Sequence, residues 1–146
     1  MLMELAEILE GSFLILGVGN PERGDDGIGN YVVSKLGTEH RLDCGPVPEN
    51  YTGKIRKINP QKILIVDAVD FGGQPGETTL TEAENAVGVT LSTHSLPLSL
   101  LCKMLPDSKV YLLGIQPKDF GSMTAEVRAS GDRLAEKLNS LLNIDL

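Results

Sequence analysis

Apolar residues in this chain alternate between two rhythms. Residues 12–20 form an apolar run that closes on glycines, the pattern of a buried strand entering a turn. After Asp26, the residues Ile28, Val32 and Leu36 recur at helical spacing, and Gly37 is a natural stop. Residues 41–45 read as a short strand. Pro48, Glu49 and Asn50 then open a helix whose inner face would be Tyr51, Ile55 and Ile58, with Pro60 beyond its end. Residues 62–67 are the clearest buried strand. Residues 71–76 are turn material, and 77–81 suit a short antiparallel edge strand. Residues 82–92 are polar and irregular, as in a mobile loop beside a site. Pro97 suits the first turn of a helix that carries Leu96, Leu98, Leu100, Leu101 and Leu105, apolar nearly all round and therefore expected to be deeply buried. Residues 109–115 form another strand. Thr124 is placed to cap a last helix with Val127, Leu134, Leu138 and Leu141 inward.

Strands alternating with helices predict an α/β fold. The expected form is a three-layer α/β/α sandwich around a mostly parallel sheet of about five strands. The length of 146 residues suits one core, so residues 1–146 are read as one domain, with 1–11 an N-terminal extension. That extension is too acidic for a signal peptide and reads as an amphipathic helix packing on the domain or on a partner. Trp is absent, so the core must be aliphatic. A net charge of −7 without a basic run argues against nucleic acid. No stretch reaches membrane-spanning length, which excludes membrane insertion. Cys44 and Cys102 share no motif spacing and are read as free thiols, consistent with a cytoplasmic protein.

Chemistry-bearing side chains collect at three apolar run ends. Asp26 lies in Gly24-Asp25-Asp26-Gly27 after the first strand, Asp67 ends the run from Ile63, and His94 precedes the leucine-rich helix. Ligands gather at the carboxyl ends of strands in an open parallel sheet, so two carboxylates and one imidazole can converge there. That set suits a borderline divalent cation such as zinc or nickel.

Each residue also has a plainer role. One Asp suffices to cap the helix after Gly27; the second is left over, and adjacent carboxylates repel or recruit a cation. Asp26 is therefore taken as the ligand, and Asp25 as the cap or as support behind it. Asp67 is harder to explain away, because a lone buried charge is expensive. Asp70 reads as a turn residue before Gly72, and His40, between Glu39 and Arg41, as a surface residue. Asn20, Asp43, Cys44 and Gly45 are expected to line the cleft, with Cys44 packed in its wall. Gly17 and Gly19 suggest a dinucleotide loop, but Glu22 stands where the third glycine belongs, and no phosphate loop is present. Ser95 beside His94 lacks a nucleophile elbow.

The ordered set Gly17-Val18-Gly19-Asn20, Gly24-Asp25-Asp26-Gly27-Ile28-Gly29, Pro48-Glu49-Asn50, Val66-Asp67-Ala68-Val69-Asp70, Pro75-Gly76-Glu77, Thr93-His94-Ser95-Leu96-Pro97-Leu98 and Leu113-Gly114-Ile115-Gln116-Pro117 resembles the nickel-iron hydrogenase maturation endopeptidases, most nearly the hydrogenase 3 branch. The resemblance implies a cytoplasmic protease that removes a C-terminal extension from a hydrogenase large-subunit precursor after nickel insertion. It carries the family's metal contacts onto Asp26, Asp67 and His94, with any catalytic part acting through the metal. The nickel would come with the substrate, and zinc or cadmium would substitute in the free protein. Two other functions use the same ligands: a zinc hydrolase with its own metal, and a non-enzymatic nickel-delivery chaperone.

Overall fold

The computed structural model describes residues 1–86, 91–92 and 96–144. Its strands are β1 (Phe13–Val18), β2 (Arg41–Gly45), β3 (Lys62–Ala68), β4 (Thr78–Glu82) and β5 (Lys109–Ile115). They form one sheet in the order β2-β1-β3-β5-β4. All neighbours run parallel except β4, which pairs antiparallel with β5 at the edge. The helices are α1 (Leu2–Ile8), α2 (Ile28–Ser34), α3 (Thr52–Ile58), α4 (Leu98–Met104) and α5 (Ala125–Leu141).

The period of two along the strands divides the interior into two cores. Leu64, Val66 and Ala68 of β3 face one side and Ile63 and Ile65 the other. On the first side they meet Leu5 and Ile8 of α1, Ile28 and Val32 of α2, and Val127, Leu134 and Leu138 of α5. On the second they meet Ile55 of α3 with Leu98 and Leu101 of α4. A strand covered on both faces must be apolar throughout, which is why β3 is a continuous run. Burying each such Leu, Ile or Val contributes about 1.5–3 kcal/mol. The N-terminal helix thus packs on its own sheet.

Two apolar residues depart from the expected faces. Ile58 is 49% exposed, because α3 ends there and its last turn projects beyond the core. Leu100 is 46% exposed: α4 lies on the sheet with Leu98 and Leu101 inward, leaving one outer stripe. The polar stretch after β4 contains a short 3-10 turn, Ala83–Asn85, and the buried Leu91 and Ser92.

The order of strands sets the place of the site. From β1 the chain crosses to β2 on one side and later returns to β3 on the other, so the crossovers diverge from the gap between β1 and β3. Such a switch point opens a crevice at the carboxyl ends of the two strands. Gly29 lets α2 close over this gap, since a Cβ there would strike the carbonyls of Val18 and Val66. No helix among the described residues is long and apolar enough to cross a membrane.

Candidate active site at the strand switch point

Asp26 sits in the 3-10 turn Gly24–Gly27, which links β1 to α2 and packs against β3. It is 3% exposed, and its Oδ2 accepts the Asn20 N–H at 3.3 Å. Asn20 also shapes the turn itself: its Oδ1 accepts the Glu22 N–H at 3.0 Å and its carbonyl the Arg23 N–H at 3.0 Å.

Asp67, in the penultimate position of β3, is fully buried. Its Oδ1 accepts the Ala68 N–H at 2.8 Å and its Oδ2 the Ser92 N–H at 2.8 Å. Burial pushes this carboxyl up to about 8, and the Asp26 charge pushes the same way; the Ser92 side chain and the N–H groups of Ser92 and Ala68 oppose them without winning. The structure therefore brings Asp26 and Asp67 within electrostatic reach of each other at the switch point. Two buried acids side by side favour a cation or a retained proton. Carboxylate oxygens are hard donors suited to divalent metals.

His94 lies outside the described residues, as do its neighbours Thr93 and Ser95. Among the described residues, no three His, Cys, Asp or Glu side chains form a metal-holding group.

Asp25 does not cap α2, whose N-terminus has no side-chain cap bond. Its carboxylate is fully buried and turned toward the segment after β5. Oδ2 accepts the N–H groups of Lys118 at 2.9 Å and Asp119 at 3.0 Å, and Oδ1 accepts that of Thr124 at 2.7 Å. The Thr124 hydroxyl donates to Oδ2 at 2.9 Å. Thr124 is the residue before α5, as expected, but its side chain serves Asp25 rather than the helix end.

The end of β2 forms the neighbouring wall. Asp43, itself exposed, accepts the Asn30 Nδ2–H at 2.7 Å and the Gly45 N–H at 3.0 Å through Oδ1. The Gly45 carbonyl accepts the Gly19 N–H at 3.0 Å, joining the ends of β1 and β2. Cys44 is 2% exposed within the second core. Burial and then the Asp43 charge push its thiol up to about 12, so it is a neutral packed residue. Cys44 and Cys102 are both free. Asp70 is the expected turn residue, with Oδ1 accepting the Gly72 N–H at 3.1 Å. His40 lies at the surface, its ring edge-on to Phe13.

Sequence reasoning missed Gln116 as an organiser. Its Oε1 accepts the Phe71 and Gly73 N–H groups at 2.9 and 3.1 Å, and its Nε2 donates to Asp70 at 3.0 Å. The signal was available: Gln116 is a long polar residue directly after β5, just past the last pair of the β3–β5 ladder.

Comparison with known proteins identifies the family and the fold. The hydrogenase maturation protease family model, HycI, matches residues 33–141. The hydrogenase 3 maturation protease of Escherichia coli is 32% identical over 86% of this chain and 87% of its own length. The crystal structure of the nickel-iron hydrogenase maturation protease HycI from Thermococcus kodakarensis superposes with a TM-score of 0.81 at 32% identity, covering 96% of this chain and 99% of that one. The solution structure of the endopeptidase HycI from Escherichia coli gives 0.78 at 30% identity, over 92% and 93% of the two chains. On this similarity along nearly its whole length, the chain belongs to the hydrogenase maturation proteases, hydrolases that cut a peptide bond.

Proposed function

We propose that this enzyme removes the C-terminal extension of a nickel-iron hydrogenase large-subunit precursor, in the cytoplasm, and that it reads the nickel already inserted there. Asp26, Asp67 and His94 are the residues assigned to that reading. The observation that carries it is the pairing of two buried carboxylates at the switch point, with Asp67 short of the charge compensation its position demands.

A site of this kind gains more from a cation than from a neutral peptide. In this reading the metal is part of the substrate: it arrives with some ligands supplied by the precursor and completes its shell on the enzyme. Seated there, it supplies positive charge beside the scissile carbonyl. The chain's own residues hold the metal, orient the peptide across the β1–β3 crevice and keep the carboxylates out of bulk water. The requirement for a shared cation makes processing a checkpoint on nickel insertion. Zinc or cadmium, offered to the free protein, is expected to occupy the same carboxylates weakly.

The test mixes chelator-treated enzyme with precursor, with and without nickel, and follows tail release by mass. Cutting of the nickel-loaded form alone is the expected result. Efficient cutting of empty precursor, with stoichiometric zinc in enzyme purified without chelator, would identify an independent zinc hydrolase. Transfer of nickel with the tail left intact would identify a delivery chaperone.

A further inference from the structure

The two acids of the turn after β1 serve different partners. Asp26 acts on Asp67, whereas Asp25 gathers the segment 118–124 through three backbone N–H groups and one hydroxyl. The attachment is reciprocal, because the Asp25 N–H donates to the Asp119 carbonyl at 2.9 Å. Gly24 adopts φ +57°, and a Cβ there would lie 2.7 Å from the Ser122 carbonyl oxygen and 2.8 Å from that of Asp119. The backbone of residues 24 and 25 is thus closed onto the segment like a clasp. Only glycine fits its first position.

On the outer side of the clasp, Arg23 lays its guanidinium over the Phe120 ring, 5.3 Å from the centroid. Both residues are exposed, Phe120 to 47%. None of the ion pairs among the described residues includes Arg23, in a chain with net charge −7. Nearby Lys118, by contrast, is paired with Glu126 at 2.6 Å. A guanidinium stacked on a ring keeps its N–H edge available and loses rotational freedom before any ligand arrives. That edge matches a carboxylate in a two-pronged contact. Arg23 is also tied to the site: its carbonyl accepts the Asp26 N–H at 3.1 Å.

We infer that the clasp of residues 23–25 with 118–124 is a specificity element, in which Asp25 is a positioning residue and Arg23, stacked on Phe120, receives a carboxylate of the peptide that enters beside Asp26. The inference rests on the proposed proteolytic reading and adds to it the chemistry of one substrate contact. It also assigns the neighbouring acids separate tasks: Asp26 faces the metal, and Asp25 fixes the distance between that metal and the charge reader.

The experiment is steady-state processing of nickel-loaded precursor by Arg23→Gln, Phe120→Ala, Thr124→Val and Thr124→Ser, with Ile58→Ala as an exposed apolar control at the opposite end of the sheet. Arg23→Gln is expected to raise KM on the order of tenfold, the scale of one charge-assisted hydrogen-bonded pair, with kcat within about twofold. Phe120→Ala shifts KM the same way. Thr124→Val raises it and Thr124→Ser restores it, and Ile58→Ala leaves it unchanged. Precursors with each acidic group near the cut neutralised in turn should include one whose effect is not additive with Arg23→Gln. Unchanged KM in Arg23→Gln, or a fall in kcat alone, overturns the inference while wild-type cutting keeps the proteolytic reading intact. A wild-type enzyme that neither binds nor cuts the precursor overturns that reading, and this inference with it.

Discussion

Asp25 and Asp67 are both fully buried carboxylates, yet their surroundings differ in kind. Asp25 is ringed by donors from one loop: three N–H groups and a hydroxyl converge on its two oxygens. Asp67 has two N–H donors, the Ser92 side chain beside it and an acid for a neighbour. A carboxylate saturated by donors is a structural strut, since its charge is already compensated where it sits. A carboxylate with a like charge beside it retains an unmet demand for positive charge. Adjacency in sequence conceals the division, because Asp25 and Asp26 belong to different halves of it.

The sharpest way to break this comparison is to remove charge from the two acids in turn. Asp26→Asn or Asp67→Asn is expected to slow processing of nickel-loaded precursor on the order of 100-fold, the scale of a lost metal-shell contact, with the chain still folded at the assay temperature. Quantitative mass spectrometry of the tail measures it. Processing at the wild-type rate by either variant would remove these acids from the site.

Asp25→Ala should show the opposite profile. Orphaning the buried N–H groups of Lys118, Asp119 and Thr124 is expected to cost about 2–4 kcal/mol, partly relieved by water entering the gap. For a chain of this size that lowers the melting temperature by roughly 5–15 °C. Cadmium affinity of the folded fraction, read by calorimetry, should fall far less than in Asp26→Asn. A large loss of metal affinity with unchanged melting would mean that Asp25, not Asp26, is the ligand.

Much of this arrangement is legible in the sequence where local pattern decides it. The strands β2 and β5 match the expected ranges residue for residue, because turn formers bound each: Gly37 and Pro46 flank β2, and Pro106 and Pro117 flank β5. The antiparallel edge position of β4 follows from its short polar pattern between a glycine-rich turn and the next loop. Ile58 and Leu100 were misread because hydropathy alone does not say which stripe of a short helix meets the sheet. Of the two roles expected for Asp25, the helix cap is absent for a different reason. The partners of Asp25 lie 93 to 99 positions away, and a cap on the next helix is the local solution that sequence spacing favours. The closeness of Asp26 and Asp67 was legible because each ends or follows an apolar strand of one parallel sheet. The placement of His94 beside them is the part of the expectation that lies outside the described residues.

The next test sharpens the Asp67 side of the comparison. A cation can enter only as Asp67 gives up its proton, so binding and deprotonation are linked. Cadmium or zinc affinity should therefore rise with pH by up to about tenfold per unit through the range below 8 and level off above it. Calorimetry in buffers of different ionisation enthalpy would register one proton released per metal near neutral pH. Affinity that is flat from pH 6 to 8, with no proton release, would show that Asp67 is not among the ligands.

The smallest expected effect is on stability, and its sign discriminates between the two buried acids. The Asp67 carboxyl sits at about 8 in the folded protein against an ordinary value of 3.8. Below 3.8 both folded and unfolded chains hold this proton. Between 3.8 and about 8 the folded chain keeps it and the unfolded chain has lost it, so unfolding releases a proton and rising pH favours unfolding. Above about 8 both forms are ionised and the effect saturates. Asp67 thus contributes its full stability at low pH and loses it as pH climbs through 8, by at most about 1.4 kcal/mol per pH unit. In Asp67→Asn this slope is absent, although Asn carries a constant cost because its amide must turn one N–H toward a backbone donor. The melting temperature of wild type minus that of Asp67→Asn should accordingly shrink as pH rises from 4 to 8. Saturating cadmium should stop the wild-type decline, since a cation holds Asp67 ionised without the burial penalty. A difference that stays constant across this range would place Asp67 with Asp25 as a charge already compensated by its own fold, and the comparison would collapse.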